Sequence, residues 1–122
     1  MDEKRVEIIT QGTAGVVTFL TASISDVEEI NAISKRIKEY VEKTKPIRLI
    51  FDFGQVKFFS SQVLGMLLDM RAKLSANDGQ VSVISINPQL HRIFRITNLD
   101  KIFSFFPDVD SAIKNEKKTS KE

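Results

Sequence analysis

The sequence predicts an α/β fold, a small mixed β-sheet of about five strands with helices packed mainly on one side, in the order β-β-α-β-α-β-α-β-α. Three observations predict it. The run from Ile47 to Phe53 carries apolar side chains at 47, 49, 50, 51 and 53, too many for a strand with one wet face, so it is a central strand covered on both sides. Upstream, Val27, Ile30, Ile33, Ile37, Tyr40 and Val41 recur at three- and four-residue intervals, the period of an amphipathic helix. Downstream, Val63, Leu64, Met66, Leu67, Leu68 and Met70 repeat at helical spacing before a second apolar run, Val81, Val83, Ile84 and Ile86. Strand, helix and strand at that length form a βαβ unit, which predicts parallel strands joined by a right-handed crossover.

The remaining elements follow from turns and caps. Val6 to Thr10 and Val16 to Leu20 flank Gly12-Thr13-Ala14-Gly15, whose glycines supply the positive φ of a tight connection, so they form an antiparallel hairpin. Lys4, Arg5 and Glu7 there discourage pairing at an exposed edge. Ser25-Asp26-Val27-Glu28 has capping-box spacing, which predicts Ser25 as the N-cap of the first helix. That helix ends near Thr44, because Pro46 disfavours helical backbone at Lys45. The second helix is expected to stop at Asn77-Asp78-Gly79, with Gly79 in the left-handed position. Asn87-Pro88 joins a capping side chain to proline at the first helical position, and Leu90, Ile93 and Phe94 form the buried stripe of a third helix closed by Thr97-Asn98. Ile102 to Phe106 is a last strand, and Pro107-Asp108 opens a final helix with Val109, Ala112 and Ile113 inward. Residues 1–113 are thus expected to form a single domain, and 114–122 a charged, disordered tail.

Composition narrows the chemistry. A chain of 122 residues supports one core, and the absence of cysteine removes thiol nucleophiles, disulfides and thiolate metal sites. His91 is the only histidine; it sits beside Arg92, off the stripe of its helix, and is expected to be a solvated surface residue. Asp52, at the end of the central strand, is a lone carboxylate without a phosphate-binding glycine loop. No catalytic set, metal set or cofactor motif emerges, and the chain reads as a non-enzyme without cofactors. The net charge of +2 with 28% charged residues is mixed, and Lys35, Arg36, Lys38, Lys43 and Lys45 lie where a helix dipole stabilises cations, so no nucleic-acid partner is expected. No run approaches the ~20 apolar residues of a membrane span and Met1 to Arg5 is charged, so no membrane partner is expected and the location is expected to be cytoplasmic.

What remains is Ser60 and Ser61, standing between the central strand and the second helix. Ser60 is predicted to be the N-cap and Ser61 a first-turn residue. A hydroxyl at that place is presented on a rigid platform beside unpaired backbone N–H groups, whose dipole favours a phosphoryl group. Phe58 and Phe59 precede the serines and point to opposite sides in extended backbone. Phe58 is expected to enter the core, leaving Phe59 either partly exposed as an aromatic anchor or tucked in as well by the bend of the loop.

The segment V-K-F-F-S-S-Q-V-L-G-M-L-L resembles the signature of STAS domains, the family of anti-sigma factor antagonists and sulphate-transporter tails, whose usual text is close to Asp-Ser-Ser-Gly-Leu-Gly after an apolar pair. Aligned on Phe58 and Leu64-Gly65, Ser60 takes the place of the family Asp and Ser61 that of the serine phosphorylated in many members. Gln62 replaces the second serine and Val63 the glycine. V-I-S-I-N-P-Q-L-H-R-I-F-R-I-T-N-L-D-K-I-F is similar to the family's second half, so the resemblance covers residues 6–113.

The resemblance implies a regulator similar to bacterial anti-sigma factor antagonists. It would bind a serine-kinase anti-sigma factor through Phe59, Ser60, Ser61 and Gln62, as a monomer or weak dimer, with Ser61 the first and Ser60 the second phosphorylation candidate. Phosphorylation would add up to about two negative charges where the partner docks and so weaken the complex. The alternative is a scaffold or interaction module that uses the same surface unmodified, motivated by S-S-Q-V in place of the family text.

Overall fold

The computed structural model describes residues 5–114, so the expected tail, Lys114 apart, lies outside the described residues. The strands are β1 (Val6–Gln11), β2 (Ala14–Phe19), β3 (Ser23–Ile24), β4 (Arg48–Asp52), β5 (Phe58–Phe59), β6 (Gln80–Ile84) and β7 (Ser104–Phe106). The helices are α1 (Val27–Thr44), α2 (Ser61–Ser75), α3 (Pro88–Ile96) and α4 (Val109–Lys114), with a 3-10 turn at Leu99–Lys101. Five strands form one sheet in the order β1-β2-β4-β6-β7, in which only the β1–β2 pair is antiparallel. The other two strands, β3 and β5, pair with each other in parallel as a separate two-stranded ribbon.

The hairpin turns tighter than the glycine spacing suggests. Ala14 and Gly15 already belong to β2, and Gly12 alone, at φ +65°, takes the first central position of a two-residue turn. Gly15 answers a different need: a Cβ there would stand 2.5 Å from the ring of Tyr40, whose hydroxyl shares a 2.7 Å hydrogen bond with Thr10 Oγ1.

β4 is central and covered on both sides, as its unbroken apolar run requires. Leu49 and Phe51 face the larger core with Val17, Phe19, Val81 and Val83, sealed by the buried stripes of α1, α2 and α3. Ile50 points the other way, against Ala14, Val16, Ile84 and Ala112 of α4. Three helices therefore share one side and α4 alone covers the other. The guanidinium of Arg48 is buried under α4, where it donates to the Ala112 carbonyl at 3.3 Å.

Helix caps correct two expectations. Asp26, not Ser25, caps α1: its carboxylate accepts from the Glu29 N–H at 2.9 Å, one residue later than the capping-box spacing places the start. At the end of α2 the left-handed residue is Asp78, at φ +63°, not Gly79. Gly79 is small for packing instead, since a Cβ there would meet the Ile47 carbonyl at 3.0 Å and the Leu74 side chain at 3.1 Å. Asn87 caps α3 as expected, accepting from the Leu90 N–H at 2.9 Å with Pro88 following. Asp108 accepts from the Ser111 N–H at 2.8 Å at the start of α4.

Two outcomes follow. Asp26→Ala should lower the urea-unfolding free energy by about 1 kcal/mol while Ser25→Ala stays within about 0.5 kcal/mol of the parent. The bonds from Ser111, with a smaller attraction from Lys114, hold the Asp108 carboxyl below its ordinary value of 3.8. A depressed folded value means that this stabilisation is full above the unfolded pKa and is lost as the pH falls through the folded one. Asp108→Asn should therefore flatten the urea-midpoint curve only below about pH 4.

Candidate functional site

The site is built at the carboxyl end of β4. Asp52 Oδ1 accepts from the Gly54 N–H at 2.8 Å, which turns the chain out of the strand. The lone carboxylate noted in the sequence thus shapes a turn. The connection is then tied down along its length: Val56 is buried, its carbonyl accepts from Asn87 Nδ2 at 3.2 Å, and the Ala22 carbonyl accepts from the N–H groups of Lys57 and Phe58. The Ser60 N–H donates to the Ile24 carbonyl at 3.0 Å. This loop is a fixed platform.

The ribbon reverses the expected roles of the two phenylalanines. Phe59 pairs with Ile24 and both point into the core, whereas Phe58 pairs with Ser23 and both are exposed. Phe59 is 5% exposed, with its ring edge-on to Phe53 at 5.6 Å and to Phe94 at 6.1 Å, while Phe58 is 54% exposed. Phe59 is a core residue, and the outward aromatic is Phe58.

Ser60 occupies the N-cap position with extended backbone, yet its side chain makes no capping bond. The Ser60 carbonyl accepts from the Val63 N–H at 3.0 Å, and its Oγ is buried without a hydrogen-bond partner. The position was legible; the capping role of the hydroxyl is not realised. Ser61, the first residue of α2, is exposed. No acidic residue stands in the first turn of α2, so the positive end of its dipole is not offset from within the helix. Gln62 is half-buried, and its Nε2 donates to Asn31 Oδ1 at 3.1 Å, bridging α2 to α1.

Sequence reasoning passed over three further features here. Asn31 reaches the site across a 31-residue separation that no local pattern encodes. Gly65, one turn beyond Ser61, is exposed inside α2 at a cost of about 1 kcal/mol relative to alanine. Leu68 leaves apolar surface on the same helix. The helical spacing of the buried Val63, Leu67, Met70 and Leu74 would have placed both outside. His91 also departs from expectation: it is half-buried, with its ring 4.4 Å from that of Phe105. Among the described residues no group of His, Cys, Asp and Glu is arranged to hold a metal ion. No helix among them is long and apolar enough to cross a membrane.

Fold and site together define a small α/β domain whose distinctive surface is a hydroxyl at a helix start, set on a loop braced from below. The chain belongs to the STAS domain family, whose model matches residues 7–112. A STAS-domain containing protein of Pseudomonas aeruginosa is 29% identical over 58 residues, a match spanning 48% of this chain and 57% of the length of that relative. An anti-sigma F factor antagonist of Paenibacillus polymyxa is 19% identical over 81% of this chain and 85% of its own. The crystal structure of an anti-sigma factor antagonist from Mycobacterium paratuberculosis superposes with a TM-score of 0.77 at 27% identity, covering 89% of this chain and 90% of that one.

Because the Ser60 hydroxyl is buried and unpaired, Ser60→Ala should be neutral or stabilising by up to about 1 kcal/mol, contrary to the usual loss at an N-cap. Equilibrium urea unfolding checks this. A loss of about 1 kcal/mol would show that the hydroxyl caps the helix in solution.

Proposed function

We propose that this domain is an anti-sigma factor antagonist that acts in the cytoplasm, binding an anti-sigma factor of the serine-kinase type and releasing the sigma factor that the kinase holds. The observation that carries this reading is the exposed Ser61 at the first position of a rigidly seated helix with no acid in its first turn. Names and similarity of the relatives support it, as does the sequence resemblance in which Ser61 takes the place of the serine phosphorylated in many family members.

Ser61 is the phosphoacceptor in this mechanism, and the buried Ser60 oxygen is not. Before modification the partner meets Ser61, the Gln62–Asn31 bridge and the outward ring of Phe58. Burying an aromatic ring supplies most of the anchoring energy in such a contact. Phosphorylation places up to about two negative charges at the helix start. The helix dipole tolerates them in the free domain, whereas a partner packed over Ser61 must desolvate them. The complex then comes apart without any change of fold.

The test uses the purified domain and the serine-kinase anti-sigma factors encoded in the same genome. Wild type and Ser61→Ala should bind one of them, with phosphate from ATP entering wild type only. Ser61→Asp should weaken binding at least about tenfold, and Phe58→Ala should do the same with an unchanged melting temperature. If the wild type binds none of these proteins, the assignment fails. If it binds but Ser61 is never modified and Ser61→Asp binds equally well, the domain is an unswitched interaction module.

A further inference from the structure

β1 is an edge strand of the five-stranded sheet, bonded on one side only, to β2. In an antiparallel pair successive residues turn their backbone groups alternately toward the partner strand and away from it. The Leu20 N–H donates to the Arg5 carbonyl, so Arg5, Glu7, Ile9 and Gln11 are the residues that bond across to β2. Val6, Ile8 and Thr10 therefore aim their N–H and C=O groups out of the sheet. The Val6 carbonyl has a partner there, since it accepts from Arg36 Nη1 at 2.9 Å. Among the described residues, no side chain or loop backbone bonds the outward groups of Ile8 and Thr10.

An open edge is a template for a further strand and is usually blunted by charge, proline or a bulge. Arg5 and Glu7 guard only the first part of β1, because Ile8-Ile9-Thr10-Gln11 contains no charge and no proline. Ile9 adds apolar surface at the same place. It pairs with Val16 and so lies on the α4 side of the sheet, yet it is 48% exposed where Val16 is buried.

We propose that a second copy of this chain pairs with this edge, β1 against β1 in antiparallel fashion, about a two-fold axis through Ile9. In that register Ile8 of each copy exchanges two backbone bonds with Thr10 of the other, using the groups otherwise left to water. The two Ile9 side chains face each other at a non-hydrogen-bonded position, where Cα atoms approach to about 4.5 Å. Glu7 falls opposite Gln11 of the other copy, so an amide meets each carboxylate and the like charges are kept apart. Moving the axis to Ile8 would demand the Val6 carbonyl that Arg36 holds and would set Glu7 against Ile9. Moving it to Thr10 would set Ile9 against Gln11 and run the pairing into the turn at Gly12. The edge thus matches itself in one register, a fit that a foreign strand does not have built in. One strand pair buries little surface, so the dimer is weak, with a Kd on the order of 100 μM. β2 separates β1 from β4, and the serine site lies past the carboxyl end of β4, so each copy keeps Ser61 accessible.

The chain has no cysteine, which makes the register directly testable. Ile9→Cys sets the only thiols of two copies face to face on the axis. Oxidised glutathione, which takes up the two electrons and two protons that the thiols give up, should convert this variant to a covalent dimer. Glu7→Cys and Gln11→Cys should each stay uncross-linked alone and should cross-link when mixed. In sedimentation equilibrium the wild-type mass should rise from monomer toward dimer between about 10 μM and 1 mM. Ile9→Lys should remain monomeric throughout, with a melting temperature within about 3 °C of wild type because the residue is exposed in the monomer. Wild type that is still monomeric at about 1 mM would overturn the proposal and leave the edge to a strand of another protein. A dimer that Ile9→Lys leaves intact would overturn it too, as would Glu7→Cys or Gln11→Cys cross-linking with itself as fast as Ile9→Cys. None of these outcomes involves an anti-sigma factor, so the assignment of Ser61 stands or falls separately.

Discussion

Insertion of the Phe59 ring between Phe53 and Phe94 is the constraint on which the serine site depends. The ring belongs to an aromatic series that begins at Phe19 on β2, stacked on Phe51 at 6.0 Å and edge-on to Phe53 at 5.1 Å. From Phe59 the series continues through Phe94 to Phe103 and Phe105. Edge-to-face pairs of this kind add about 0.5–1.5 kcal/mol each to the burial of the rings themselves. Because Phe59 is fixed, the next two residues are fixed: the Ser60 hydroxyl falls beneath the surface and Ser61 is exposed. The ring of Phe59 registers the loop to the core, beside the backbone bonds that tie the connection down along its length.

The platform beneath that loop is a two-sided sheet. Parallel strands need cover on both faces, and α4 supplies on one side what three helices supply on the other. The buried Arg48 belongs to this arrangement, since its bond to the Ala112 carbonyl ties the short α4 to the start of β4. The serine site lies at the opposite end of the same strand, beyond Asp52. Rigidity at one end and chemistry at the other is a common division in α/β domains, where the carboxyl ends of strands carry the functional surface.

Electrostatics at the site follow from what the helix start lacks. An aspartate at the N-cap would offset the dipole of α2 and place a negative charge beside Ser61. Serine at position 60 does neither, and its hydroxyl is spent on no bond. The positive end of α2 is left open to an incoming anion, on a surface otherwise made of an aromatic ring, an amide bridge and bare helix backbone.

Much of this was legible in the sequence. The apolar run of β4, the 3.6-residue stripes of α1 and α2, the Asn87-Pro88 start and the handover to a helix at Ser60 and Ser61 are local patterns, and burial of apolar surface enforces them. The STAS resemblance rested on the same stretch. What the sequence could not decide were choices between neighbours: Phe58 or Phe59, Ser25 or Asp26, Asp78 or Gly79. Each pair is locally equivalent, and a distant contact settles it. The ribbon of β3 and β5, two residues a side, sets which phenylalanine turns inward, and it is too short to leave a periodic signal. Sequence alone thus determined where strand gives way to helix and that two hydroxyls stand there; only tertiary pairing determined which of them reaches solvent, because side-chain direction in a two-residue strand is fixed by its partner's register and not by its own text.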